Sequence, residues 1–146
     1  VFFSSPAVLG TPSAAAELGE DPSVTAVMDQ LGSVTIALVG IGSLDPSPLL
    51  RESGNMTTAQ DRAALAAAGA VGDVCLRFFD AQGRAITGSY DDRLVGASGE
   101  QIRAILRCVA AAGGERKHAA VRAALLGGWV DVLLTDVLTA RALLTG

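Results

Sequence analysis

Aromatic side chains make up only 4% of the 146 residues, and the chain has two cysteines, one histidine and no surplus of positive charge. Eleven Lys and Arg stand against 15 Asp and Glu, a formal net charge of −4. Without a dense basic face the chain by itself is a poor partner for DNA or RNA. Cys75 and Cys108 form no CxxC pair and have no histidine cluster beside them, so neither a zinc site nor another metal centre is expected. Both thiols fall in segments that read as buried strands, which suggests core packing in a reducing compartment and a cytoplasmic protein. A Ser-His-Asp triad would have to use His118, yet no Gly-x-Ser-x-Gly elbow supplies a nucleophile, and His118 reads as a partly exposed helix residue. The longest apolar run, Ala63 to Val71, falls well short of the ~18 residues of a membrane span. The opening Val-Phe-Phe lacks a basic flank and soon meets Pro6, so it is not a signal peptide. A start at Val1, with no methionine and inside what reads as a strand, suggests a piece of something longer.

Half the residues are apolar, and alanine and glycine are abundant. That composition suits one α/β domain with close helix-to-sheet packing. Val34-Thr-Ile-Ala-Leu-Val-Gly40 is a short β-branched run, the pattern of a parallel strand covered on both faces. It empties into Gly40-Ile41-Gly42-Ser43 and a long connector through Arg51 to Met56. Ser13 is expected to cap a short helix. Asp21-Pro22 should open a second helix that ends at Gly32. Thr58 with Asp61, and Ser98 with Gln101, have capping-box spacing ahead of two more. Ala70 to Asp80 contains a third strand, with a turn at Asp80-Ala-Gln-Gly83 and an antiparallel return through Arg84 to Tyr90. Cys108 to Ala112 and Val130 to Thr135 are further strands, each followed by a helix. This alternation predicts a mostly parallel, doubly wound sheet with flanking helices and right-handed crossovers. No linker divides the chain.

The stretch from Val109 to Arg122 is the most informative. A strand ends there in Gly113-Gly114, and Arg116 and Lys117 stand in the first helical turn, where cations oppose the macrodipole. One reading is an anion site made of backbone N–H groups and a lysine; the other is a surface helix whose basic residues are solvated or paired with Glu115. Gly40-Ile-Gly-Ser43 ends another strand, at the edge where ligands bind in parallel sheets. It lacks the third glycine of a dinucleotide fingerprint and the Gly-Lys-Ser/Thr ending of a Walker loop, so no nucleotide cofactor is implied and a tight turn explains it as well. Ser43, Arg51, Asp73, Arg116 and Lys117 thus gather at or near strand ends. Asp73 is placed there least securely, because it precedes its strand's apolar part. Singly, each is a solvated polar or charged loop residue; together they point to a small phosphorylated polyol.

Five strings in order, Ile36-Ala-Leu-Val-Gly-Ile-Gly-Ser-Leu, Ala70-Val-Gly-Asp-Val-Cys, Arg77-Phe-Phe-Asp-Ala-Gln-Gly, Ala111-Ala-Gly-Gly with Lys117, and Val130-Asp-Val-Leu-Leu-Thr-Asp-Val-Leu-Thr-Ala, carry a resemblance. They resemble the effector-binding domain of SorC/DeoR-type sugar-responsive transcription regulators, from about Pro6 to the C-terminus. The resemblance implies a fold like that of glucosamine-phosphate deaminase, ribose-phosphate isomerase and the CoA-transferases. It also implies a non-catalytic domain with a sugar-phosphate effector, which switches an operator-binding homo-oligomer with no membrane partner. By position, Lys117 corresponds to a phosphate-contacting lysine, Asp73 to a sugar-side acid and Arg51 to a phosphate or hydroxyl contact; Gly40, Gly42, Ser43, Gly113 and Gly114 complete the expected site. The family's helix-turn-helix and the first part of its effector domain, with a glycine- and threonine-rich phosphate loop, are absent from this sequence. Two residues depart from the pattern: Leu76 stands where a smaller residue is expected, and Val137 where an acid is. A sugar-phosphate isomerase or deaminase of the same fold class is the alternative, with Asp73 as its acid or base.

Overall fold

A computed structural model of the chain describes residues 3, 5–45 and 57–145. Helix α1 (Pro12–Gly19) begins at Thr11, whose hydroxyl accepts the Ala14 N–H, rather than at the expected Ser13. Pro12 explains the shift, since its missing N–H costs nothing at the first helical position. Helix α2 (Pro22–Leu31) is capped as expected by Asp21, 2.8 Å from the Ser23 N–H. Both capping boxes form, Thr58 with Asp61 ahead of α3 (Ala59–Ala67) and Ser98 with Gln101 ahead of α4 (Gly99–Ala104).

The strands divide between two sheets, which corrects the expectation of one mostly parallel, doubly wound sheet. Strand β1 (Ile36–Gly40) pairs in parallel with β5 (Arg107–Ala111), and β5 with β6 (Val132–Leu134), in the order β1-β5-β6. Strands β2 (Gly42–Ser43), β3 (Ala70–Val74) and β4 (Arg77–Asp80) form a separate antiparallel sheet in the order β2-β3-β4. The cause lies at Cys75 and Leu76, both at positive φ (52° and 64°). These torsions make a tight two-residue turn, so the segment read as one strand folds back on itself. Cys75 is therefore an exposed turn residue, and only Cys108 is buried. The turn expected at Asp80–Gly83 does form, with the Gly83 N–H donating to Asp80 O (2.8 Å). Its return strand is brief: Ala85 bridges Phe79, Ile86 follows, and a 3₁₀ turn at Asp91–Arg93 ends it.

Helix α5 (His118–Leu126) packs its small face, Ala120, Ala123 and Ala124, against both sheets. An added Cβ at Gly72 would meet the Ala120 Cβ at 2.4 Å, so glycine is what lets strand and helix approach. Gly83 and Gly127 stack backbone on backbone in the same way. Trp129, fully buried, lies 5.2 Å from the Phe79 ring and donates its indole N–H to Gly83 O. Helix α6 (Val137–Thr145) closes the described chain. The opposite face of the parallel sheet is bare: Ile36, Leu38, Val132 and Leu134 are exposed, so the expectation that β1 is covered on both faces does not hold for the described residues. Among those residues no helix is long and apolar enough to cross a membrane.

Candidate functional site

Because β1 and β5 run side by side with Gly40 opposite Ala111, the two glycine turns emerge at the same carboxyl edge. Between them lies a cavity of about 290 Å³, with Ser43 and Asp45 on one side and Gly113 through Lys117 on the other. The Gly113–Gly114 turn leads into a 3₁₀ turn, Glu115–Lys117, that runs on into α5. The basic pair therefore sits in a tight first turn, one step ahead of the α-helix proper.

Gly114 takes φ 92° and ψ 147°, a conformation open essentially to glycine alone. Its N–H is not left for a ligand. It donates to Asp136 Oδ2 and to Thr139 Oγ1, both at 2.9 Å. The Thr139 hydroxyl in turn donates to Asp136 Oδ2 (2.7 Å), the Thr139 N–H to Asp136 Oδ1 (2.8 Å), and His118 Nε2 lies 3.3 Å from the same hydroxyl. The Thr139 N–H and hydroxyl, then the Gly114 N–H, hold the Asp136 carboxyl down to about 2. A Cβ on Gly113 would meet Asp136 Oδ2 at 2.3 Å, so this clamp demands glycine there. With Gly114 spent, the remaining N–H groups of this first turn, those of Glu115 and Arg116, belong to residues that line the cavity.

Lys117 is half-buried, and its Nζ donates to Ile41 O at 2.8 Å, tying the turn to the end of β1. Arg116 reaches across to Asp45, 3.1 Å to both its carbonyl and its carboxylate. With side chains 62% and 70% exposed, that ion pair adds little stability. Asp73 pairs across the strands with Gly42, where an added Cβ would lie 1.9 Å from Asp73 Oδ1. Burial pushes the Asp73 carboxyl up to about 6, against the opposing pull of the Leu76 N–H (2.9 Å) and the Lys117 charge.

Of the residues singled out in the sequence, Ser43, Gly113, Gly114, Arg116 and Lys117 meet at the cavity. Gly42 and Asp73 lie beside it, outside its lining, and Gly40 ends β1 with open space where a Cβ would point. Arg51 lies outside the described residues. Sequence reasoning missed the Asp136–Thr139 clamp, the Ile41 carbonyl and Asp45. Only the first left a signal, an aspartate in N-cap position three residues ahead of a threonine.

An α/β core with a cation-bearing cavity at the carboxyl edge of its parallel strands is the architecture of a small-ligand-binding domain. The chain belongs to the sugar-binding domain family Sugar-bind, whose model matches residues 1–145. It is 38% identical over 144 residues to the transcriptional regulator YjhU of Escherichia coli K12, covering 95% of this chain and 42% of that protein. It is 34% identical over 124 residues to the deoxyribonucleoside regulator of Bacillus subtilis, covering 85% of this chain and 39% of that one. A DeoR family transcriptional regulator from Listeria monocytogenes superposes with a TM-score of 0.89 at 26% identity, over 98% of this chain and 57% of that one. The resemblance to SorC/DeoR-type regulators therefore holds. The chain spans about two fifths of the length of the curated relatives it matches.

Proposed function

We propose that the domain is a non-catalytic sensor, which binds a phosphorylated sugar between the Ser43 and Gly113–Lys117 walls and so controls operator binding by a full-length homo-oligomer. The observation that carries this is Lys117, held by Ile41 O at the mouth of a glycine turn and facing a serine across a cavity of sugar-phosphate size. The phosphate lies against Lys117 and the Glu115 and Arg116 N–H groups, and a sugar hydroxyl reaches towards Asp73, with Gly42 making room for that carboxylate. Arg51 adds a phosphate or hydroxyl contact. A relative named as a deoxyribonucleoside regulator supports a sugar-derived effector.

Thermal unfolding of the full-length protein with paired ligands tests the reading. Phosphorylated sugars raise the melting temperature and their unphosphorylated counterparts do not; equal shifts from both, or none from any sugar phosphate, overturn it. Lys117→Ala removes one charge-assisted contact, ~1.5 to 3 kcal/mol, which is roughly a 10- to 150-fold loss of affinity. Unchanged affinity takes Lys117 out of the site. The Asp73 carboxyl, raised to about 6, would also suit a general acid or base at neutral pH, which favours the isomerase or deaminase as second reading. Turnover of aldose phosphates that Asp73→Asn abolishes would replace the sensor with that enzyme.

A further inference from the structure

Asp73 shares one face of the antiparallel sheet with a tyrosine that the ligand site does not yet use. Asp73 pairs across the strands with Phe78, so the two side chains leave the sheet on the same side. Tyr90, immediately ahead of the Asp91–Arg93 turn, packs edge-on against the Phe78 ring, with the ring centroids 5.4 Å apart. Leu44, which stands between the cavity residues Ser43 and Asp45, packs against the same cluster. Tyr90 is only 7% exposed, and its buried hydroxyl has no hydrogen-bond partner among the described residues. Native structures rarely leave a buried hydroxyl unpaired without a reason. Burial, then the Asp73 charge, then that of Asp61 push this hydroxyl above its ordinary value, which puts Asp73 within electrostatic reach of the phenol. Asp73 has room for the bond. Among the described residues its one donor is the Leu76 N–H, 2.9 Å from Oδ2, while Oδ1 faces Gly42 beside the cavity.

We propose that Tyr90 is a positioning residue that acts on the ligand through Asp73: its hydroxyl donates to the carboxylate when a sugar hydroxyl engages it, so that a bond unmade in the unliganded protein closes on binding. The inference rests on the sensor reading, in which Asp73 is the sugar-side acid, and adds the residue that keeps this acid in its accepting form. Burial alone favours the neutral carboxyl, which is the poorer acceptor for a sugar hydroxyl. A phenol donor at the same carboxyl favours the charged form, and the sugar then meets a carboxylate held from behind. Because the bond forms only in the complex, it contributes to affinity and not to the stability of the free domain.

The full-length protein and its Tyr90→Phe variant decide, with the probe taken as whichever of ribose 5-phosphate, 2-deoxyribose 5-phosphate and glucose 6-phosphate gives the parent its largest thermal shift. Without ligand, the variant melts at the parent's temperature or above it, because no bonded hydroxyl is lost. Its affinity for the probe falls roughly tenfold, the worth of one hydrogen bond to a carboxylate. In an Asp73→Ala background the same substitution changes affinity by less than about twofold, since residues that act as a unit are not additive. A melting temperature several degrees lower without ligand shows a hydroxyl already bonded in the free domain and overturns the proposal. Equal affinity of parent and variant overturns it as well, and so does a tenfold loss that persists in the Asp73→Ala background. The two readings fail separately: a parent that no sugar phosphate shifts sinks the sensor itself, whereas a parent that binds with Tyr90→Phe unchanged sinks only the role of Tyr90.

Discussion

Replacing Thr139 by valine tests whether the glycine turn is held in shape from α6. Thr139 is fully buried, and its hydroxyl both accepts the Gly114 N–H and donates to the Asp136 carboxylate. Valine keeps the volume and removes only the hydroxyl. The Gly114 N–H retains Asp136 Oδ2 at 2.9 Å, so no buried donor is orphaned, and the loss is chiefly one hydrogen bond to a charged group. That is about 2 kcal/mol. For a domain of this size it lowers the melting temperature by roughly 4 to 8 °C. Thermal or urea unfolding reads the loss, with Thr139→Ser, which keeps the hydroxyl, losing less than half as much. A valine variant within 1 °C of the parent, or a serine variant as damaged as the valine one, would refute the clamp. Affinity for a sugar phosphate should fall with the valine variant and largely survive in the serine one.

Asp73 gives a pH-dependent comparison. Because its folded-state value is raised to about 6, the folded protein holds a proton that the unfolded chain has already lost. Its contribution is favourable below the ordinary carboxylate value and is lost as pH rises through 6. Asp73→Asn should thus be the more stable protein above pH 6 and lose that advantage towards pH 4; a difference flat across this range refutes it. At the hairpin tip, Leu76→Gly relieves a left-handed conformation that costs a side chain ~1 to 2 kcal/mol, partly offset by glycine's backbone entropy. A net gain of about 0.5 to 1 kcal/mol should appear in urea unfolding, and a loss would show that the half-buried leucine packs better than its torsions suggest.

What the sequence made legible was local. Asp21-Pro22, Thr58 with Asp61, and Ser98 with Gln101 cap their helices where read, because a cap is satisfied by residues within three positions. The Gly113–Gly114 turn and Lys117 were found because a cation at a helix start is a visible anomaly. The β3–β4 turn was hidden, since Cys-Leu carries none of the Asn or Gly signature that its torsions call for. Missing it made the strand one long segment and merged two sheets into one. The smaller residue expected at position 76 now has its reason in a positive φ. The clamp joins Gly114 to Thr139, 25 residues on, and no pattern within a window reveals a contact that packing creates.

The bond from Lys117 Nζ to Ile41 O bears on the thermodynamics of recognition. A free lysine side chain carries ~2 kcal/mol of rotamer entropy, normally lost when it grips an anion. Here a carbonyl at the end of β1 has already restricted it. One ammonium proton is committed and two remain, so an arriving anion meets a cation whose ordering was completed during folding. The same bond makes the lysine a report on the strand: a displacement of the β1 carboxyl end would carry the charge with it, and affinity would follow the position of the strand.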